Sequence, residues 1–229
     1  MAHSHGGLAV WLGSGLVAAL YGARVVRTDS TIFGFLLFNL TLALVPWGLA
    51  HAARLAEQRG RVWAAWTLGV GWLLFLPNAP YLLTDLVHLR PRPGVPLWYD
   101  AILLATAGVT GLLAGGLSLR DMHRWVEARH GARAALALVV AAAPAAGVGI
   151  YLGRFARWNS WDLVLHPVAV LGDVAALLRD PAGNLRALVV IASFAGLLAV
   201  SYLAVGPRAS RAQGERAPSP SPPRVRRER

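Results

Sequence analysis

Long apolar runs, separated by short arginine-bearing gaps, make up most of the chain. Six of them contain no Asp, Glu, Lys, Arg or His: roughly Gly7 to Ala23, Ile32 to Ala50, Val62 to Pro77, Ala101 to Leu119, Ala134 to Gly153 and Ala187 to Val205. A helix crosses the hydrocarbon core of a bilayer with about 17–25 mostly apolar residues. Within lipid, helices and closed barrels alone satisfy every backbone polar group. The pattern therefore predicts an all-α, polytopic transmembrane bundle of about six spanning helices, the first and third being the shortest. Trp47, Trp63, Trp66, Trp98, Trp158 and Trp161 fall near the ends of the runs, where amphipathic rings favour the membrane interface. Trp11 and Trp72 lie deeper.

Composition sharpens this picture. Of 229 residues, 56% are hydrophobic and 14% charged, against roughly a quarter charged in soluble domains. All 22 basic residues are arginine, and the net charge is +11. These arginines occupy the gaps and the tail rather than one face, which fits membrane topology and speaks against nucleic acid as a partner. The absence of Cys excludes disulfides and thiolate metal sites. No basic residue precedes the first run, so that run is expected to be a retained helix and not a cleaved signal peptide.

Arginine placement also predicts orientation. One side carries Arg54, Arg59, Arg61, Arg120, Arg124, Arg129, Arg133 and the tail arginines from Arg208 to Arg229, fourteen in all. The other carries eight: Arg24, Arg27, Arg90, Arg92, Arg154, Arg157, Arg179 and Arg186. The heavier side is expected to be cytoplasmic, with both termini inside, in a bacterial inner membrane; the excess comes from the tail. Two regions follow: a transmembrane helical domain over 1–206 and a basic Pro/Ser/Arg-rich tail over 207–229. The tail has too little apolar surface to fold and is expected to be disordered and cytoplasmic, fixing topology and holding anionic lipid headgroups. Gly111-x-x-x-Gly115 and Gly149-x-x-x-Gly153 are expected to serve close helix packing within the bundle.

Polar residues gather at the exits of the third and fifth runs. In Phe75-Leu76-Pro77-Asn78-Ala79-Pro80-Tyr81, two prolines without N–H groups should break the helix near Asn78, whose amide can bond the freed carbonyls. From Tyr81 the pattern is helical again. Tyr81, Asp85 and His88 share one face at i, i+4 and i+7, with Leu82, Leu83, Leu86 and Leu89 opposite. This describes a short interfacial helix. Trp98-Tyr99-Asp100 precedes the fourth run, where Asp100 is expected to cap the helix. If the fifth helix continues past Gly153, Asn159, Asp162 and His166 share a face, and Arg154, Arg157 and Trp161 share another. A second interfacial helix is predicted over about Val168 to Leu178, with Asp173 on its wet side, followed by a turn at Asp180 to Asn184.

The strings LPNAPY-LLTDL and YLGRF-RWNSWD, together with Trp98–Asp100, resemble those of the DUF1361 family, a bacterial family of multi-pass membrane proteins defined as a domain of unknown function. The resemblance runs from the second span to the sixth. It implies a membrane location and transfers no catalytic assignment.

The residues themselves suggest chemistry. Asp85 with His88, and Asp162 with His166, are carboxylate–imidazole pairs one helical turn apart. They are candidate acid–base residues of a membrane-embedded hydrolase or transferase acting on a lipid-linked or envelope substrate. Asn78, Tyr81, Asp100, Arg154, Arg157 and Asn159 are candidate ligand contacts, with Arg154 and Arg157 suited to an anionic headgroup. The same two pairs have the spacing of metal ligands, yet no metal site is assigned and no cofactor is identified. The competing structural expectation is that Asp85 and Asp162 pair with Arg154 and Arg157 to hold two helix exits in register. A transporter is disfavoured because the runs carry no ionisable group. A scaffold or sensor with outer tryptophans as anchors is the third alternative. His3 and His5 are expected on a mobile terminus, and His51, His123 and His130 in solvated loops.

Overall fold

The computed structural model describes residues 2–158 and 162–206. The basic tail, Asn159 and Trp161 lie outside the described residues. The elements are α1 Ala2–Thr28, α2 Gly34–Gln58, α3 Val62–Phe75, α4 Asn78–Tyr81, a 3-10 helix Leu82–His88, α5 Leu97–Tyr151, a π-helical turn Leu152–Ala156, α6 Asp162–Leu165, α7 Pro167–Arg179 and α8 Leu185–Ala204. An isolated bridge between Arg92 and Val95 is the extended pairing among the described residues.

Five helical segments are long and apolar enough to cross a membrane. One of them, Leu97–Ala156, has 60 residues, which at 1.5 Å per residue is about 90 Å, or three bilayer cores. Gly131, with φ 82 and ψ 171, breaks it in the middle. The two arms, 97–130 and 132–151, therefore contain the fourth and fifth predicted spans, and the described helices hold all six. The chain is a multi-pass bundle built on α5, which packs against α8, α2 and α1.

Several boundaries differ from expectation. The first helix starts at Ala2 and so includes His3 and His5, and it extends through Arg24 and Arg27. The predicted gap at Arg120 to Arg133 is helical on both sides of Gly131. Sequence hydropathy ends a span at its first arginine; the helix continues because α2 and α8 supply partners for the polar residues beyond. At the other end, the fifth helix does not continue past Gly153 as an α-helix. It widens to a π turn and stops at Arg157, which is left-handed with φ 62. The continuation on which the predicted common face of Asn159, Asp162 and His166 depends is therefore absent up to Trp158, and Asn159 itself lies outside the described residues.

The proline corner is shallower than the predicted break. Leu76 and Pro77 stay in helical conformation, so Val62–His88 runs as one helical path of 27 residues. After the corner the chain is 3-10 helical. Its period of three puts Leu82, Asp85 and His88 on one line, where an α-helix would align Tyr81, Asp85 and His88. Leu82 and Asp85 are buried as a result. Glycines of α5 receive the corner: a Cβ at Gly149 would strike Pro77, and one at Gly111 would strike the Ala79 carbonyl. Both GxxxG segments thus serve packing inside the bundle.

The arms of α5 approach α8 equally closely. A Cβ at Gly147 would stand 2.5 Å from the Ile191 carbonyl oxygen. Gly147→Val should therefore force the helices apart and cost about 1–3 kcal/mol. A lower apparent melting temperature in detergent, read by the monodisperse fraction after heating, checks this.

Candidate functional site

A cavity of about 380 Å³ lies between α2, α3 with its proline corner, the second arm of α5, and α7. Most of its wall is apolar, including Phe38, Leu42, Leu73, Leu74, Val148, Leu152, Val170 and Val174. Four polar side chains reach it: Asn39, Asn78, Tyr81 and Trp158. Asn78 donates through Nδ2 to the Phe75 carbonyl at 3.0 Å, one of the acceptors left over where Pro77 and Pro80 interrupt the ladder. Trp158 is set by the left-handed turn at Arg157, and its indole N–H donates to Asp173 Oδ2 at 2.7 Å. Gly153 lets Tyr81 and the Trp158 backbone lie close against the π turn.

Asp85 stands behind this wall and does not line it. Its side chain is buried and accepts a hydrogen bond from Asn39 Nδ2 at 3.0 Å. His88 and Arg154 are near enough to act on its charge. Among the described residues no ion pair within 4 Å joins Asp85 to Arg154 or Arg157, so the expected pairing with an arginine is replaced by an amide contact. His88 packs against Phe35 in a tilted arrangement with ring centroids 5.1 Å apart, and its carbonyl accepts from Arg92. Asp162 and His166 are joined through their backbones, the His166 N–H donating to the Asp162 carbonyl at 2.7 Å. The His166 ring is exposed and 6.4 Å from that of Trp158. Among the described residues no three His, Asp or Glu side chains converge to hold a metal ion. The two carboxylate–imidazole pairs are therefore not brought together as one ligand set.

Asp100 is not a helix cap. Pro96 occupies the cap of α5, and Asp100 lies a turn inside the helix. There it accepts from Arg24 Nε at 2.8 Å and Arg24 Nη2 at 3.3 Å, with both side chains 1% exposed. Arg92 approaches the same carboxylate at 3.8 Å. Arg24 and Arg92 both stack on the buried Phe33 ring, each 4.8 Å from its centroid. Charge complementarity between gap residues was visible in the sequence, but nothing there pairs Arg24 with a residue 76 positions away.

The opposite end of the bundle holds a second polar cluster that the sequence reading missed. Asp121 faces Arg54 at 3.3 Å and Arg120 at 3.8 Å. Arg120 also donates to the Val205 carbonyl at 3.0 Å, closing the end of α8. His123, expected in a solvated loop, is buried with Nδ1 3.2 Å from Tyr202 Oη. Glu57 pairs with Arg129, and His130 packs on Trp66. The start of α1 and the end of α8 belong here, since Gly6 meets Leu117 and Tyr202 meets His123.

A many-pass helical bundle with polar residues paired at both ends and an apolar cleft between helices is an integral membrane protein of the multi-pass class. The family described as "Protein of unknown function (DUF1361)" matches residues 38–200, and the chain belongs to it. That stretch begins in α2 and ends in α8, so it includes the residues lining the cavity, Asp85 with Asn39, and Arg54, Arg120, Asp121 and His123, while Tyr202 and Val205 lie beyond it. No curated protein and no solved structure matches the chain.

Arg24→Met would leave Asp100 buried with Arg92 as its remaining partner. Breaking a buried pair on one side costs about 3–5 kcal/mol. The variant is expected to melt well below the parent in detergent, while Arg24→Met with Asp100→Leu recovers most of the loss. Equal melting temperatures for the parent and the single variant would show that the pair contributes little.

Proposed function

We propose that this protein binds a chain-bearing amphiphile, a lipid or lipid-linked molecule, in the cleft between α2, α3, α5 and α7. The carrying observation is the make-up of the wall: a mostly apolar cavity of about 380 Å³ with a few amide, phenol and indole groups converging on it. Ligand sites generally combine an apolar lining with a small number of placed polar groups. Asn39, Asn78 and Tyr81 supply neutral hydrogen-bonding for a headgroup or linkage.

Binding is favoured over catalysis by what lines the cleft. Among the described residues its wall contains no carboxylate and no imidazole. Asp85, the nearest acid, is covered by Asn39 and has no open approach to a bound chain. A hydrolase or transferase would need an acid or base within hydrogen-bond reach of the reacting group. We place the Asp121 end, with its surrounding arginines and both termini, on the cytoplasmic side of a bacterial inner membrane, and the cleft toward the outer side. The arginine distribution supports this orientation, and the basic tail is suited to anionic headgroups.

Lipid analysis of the purified protein by native mass spectrometry tests the reading. Parent protein is expected to carry a lipid that survives detergent exchange. Val148→Trp, which projects a larger side chain into the cleft, is expected to lose it while remaining monodisperse. Equal lipid retention by a folded Val148→Trp protein would refute occupancy of this cavity.

A further inference from the structure

Three residues that line the cavity are also among the exposed apolar side chains: Phe38 on α2 at 58%, Leu73 on α3 at 41% and Leu171 on α7 at 58%. A mouth leading to water would be rimmed by polar groups. This one is rimmed by apolar side chains from three helices, which face hydrocarbon in a membrane-embedded bundle.

The wall formed by α7 differs from the others. It has 13 residues, about 20 Å of helix, too short for a core of about 30 Å. Val170 and Leu177 point inward and are buried, whereas Val168 is 85% exposed and Leu165, just before the helix, is 65% exposed. Such a helix lies in the interface with apolar residues dipping into lipid. The side chains of α7 that line the cleft are Val170, Leu171 and Val174. Its polar tie to the rest of the bundle is the hydrogen bond from Trp158 Nε1, just beyond the π turn that ends α5, to Asp173 Oδ2, 2.7 Å long and exposed. Trp158 lines the cavity while Asp173 is exposed and does not, so the bond joins a wall of the site to the outer side of α7.

We propose that the cleft opens laterally into the bilayer between α3 and α7, that the bound chain enters and leaves by this portal, and that the Trp158–Asp173 hydrogen bond, by tying α7 to the end of α5, holds α7 in the position that narrows it. The proposal rests on the amphiphile reading given above. It adds the source of the ligand, which is the surrounding leaflet and not the aqueous phase. Trp158 and Asp173 act here as positioning residues.

The test uses the full chain in lipid nanodiscs and the exchange rate of a pyrene-labelled fatty acid. Trp158→Phe keeps the ring and removes the donor; Asp173→Ala removes the acceptor. Each is expected to accelerate exchange, by about fivefold if the bond has ordinary strength. The double variant should match either single one, because both remove the same bond. The chain has no cysteine, so Leu73→Cys with Leu171→Cys can be bridged by a bifunctional thiol reagent, and a completed bridge is expected to stop exchange. Strictly additive rates in the double variant, or undiminished exchange through a completed bridge, would overturn the portal. Failure of the parent protein to bind the probe at all would instead overturn the cleft itself.

Discussion

Charge withdrawn from both water and lipid must be answered within the protein, and at the entrance to α5 that requirement is met by Asp100 and Arg24. The carboxylate and guanidinium form two hydrogen bonds with almost no exposure. They fix the end of α1 against the start of the longest helix. Phe33, held between Arg24 and Arg92, brings in the residue before α2 and the loop before α5. Tyr99 completes the junction by donating to the Leu20 carbonyl at 2.8 Å. Four segments are thereby set at one end of the bundle, and the rest of the structure is arranged from there. Further interhelical hydrogen bonds run through the interior, Trp72 donating to Ser118 at 3.2 Å and Ser201 to the Leu112 carbonyl at 2.6 Å, as expected where helices in lipid gain from close packing and hydrogen bonds rather than from exclusion of water.

Packing does the remaining positioning. The corner at Pro77–Ala79 seats against glycines from both arms of α5, which brings α3 close to the second arm and leaves the cleft beside it. The prolines that make the corner also release carbonyls, and Asn78 binds one of them. The same few residues therefore shape the cavity wall and place an amide in it. This division of labour explains why the ionisable residues of the neighbourhood stand outside the cavity. Asp85 supports Asn39 from behind, and Asn39 presents the amide.

The helical bundle was legible because spans without ionisable groups are long and frequent, and the length requirement of a bilayer is strict. The short helix α7 was legible from its amphipathic pattern. Three features were not. The 3-10 geometry after Pro80 changed the residue period, so a face predicted from 3.6 residues per turn grouped Tyr81 with Asp85 where the structure groups Leu82. The stretch around Arg120 to His123 read as a solvated gap because hydropathy counts charges and cannot see that Arg54, Val205 and Tyr202 stand ready to pair with them. Asp100 read as a cap since a carboxylate near a helix start is usually one; its true partner is distant in sequence. Of the candidate site residues, Asn78 and Tyr81 line the cavity, Asp85 supports it and Asn159 is outside the described residues. In the sequence Asn39 is a lone amide in an apolar span and Trp158 an interfacial ring, with no signal that they line one cavity.

Gly131 carries a consequence for how the protein enters its membrane. A single residue with φ 82 reverses the direction of α5, so the two arms are a helical hairpin with practically no connecting loop. Neither arm can translocate while the other stays behind, for there is no slack to span the bilayer between them. The hairpin must insert as a pair, and a topological inversion of one arm would require inverting both. The arginines flanking the hinge, Arg129 and Arg133, then act on one insertion event rather than on two, and the side they choose is settled for two of the six spans at once.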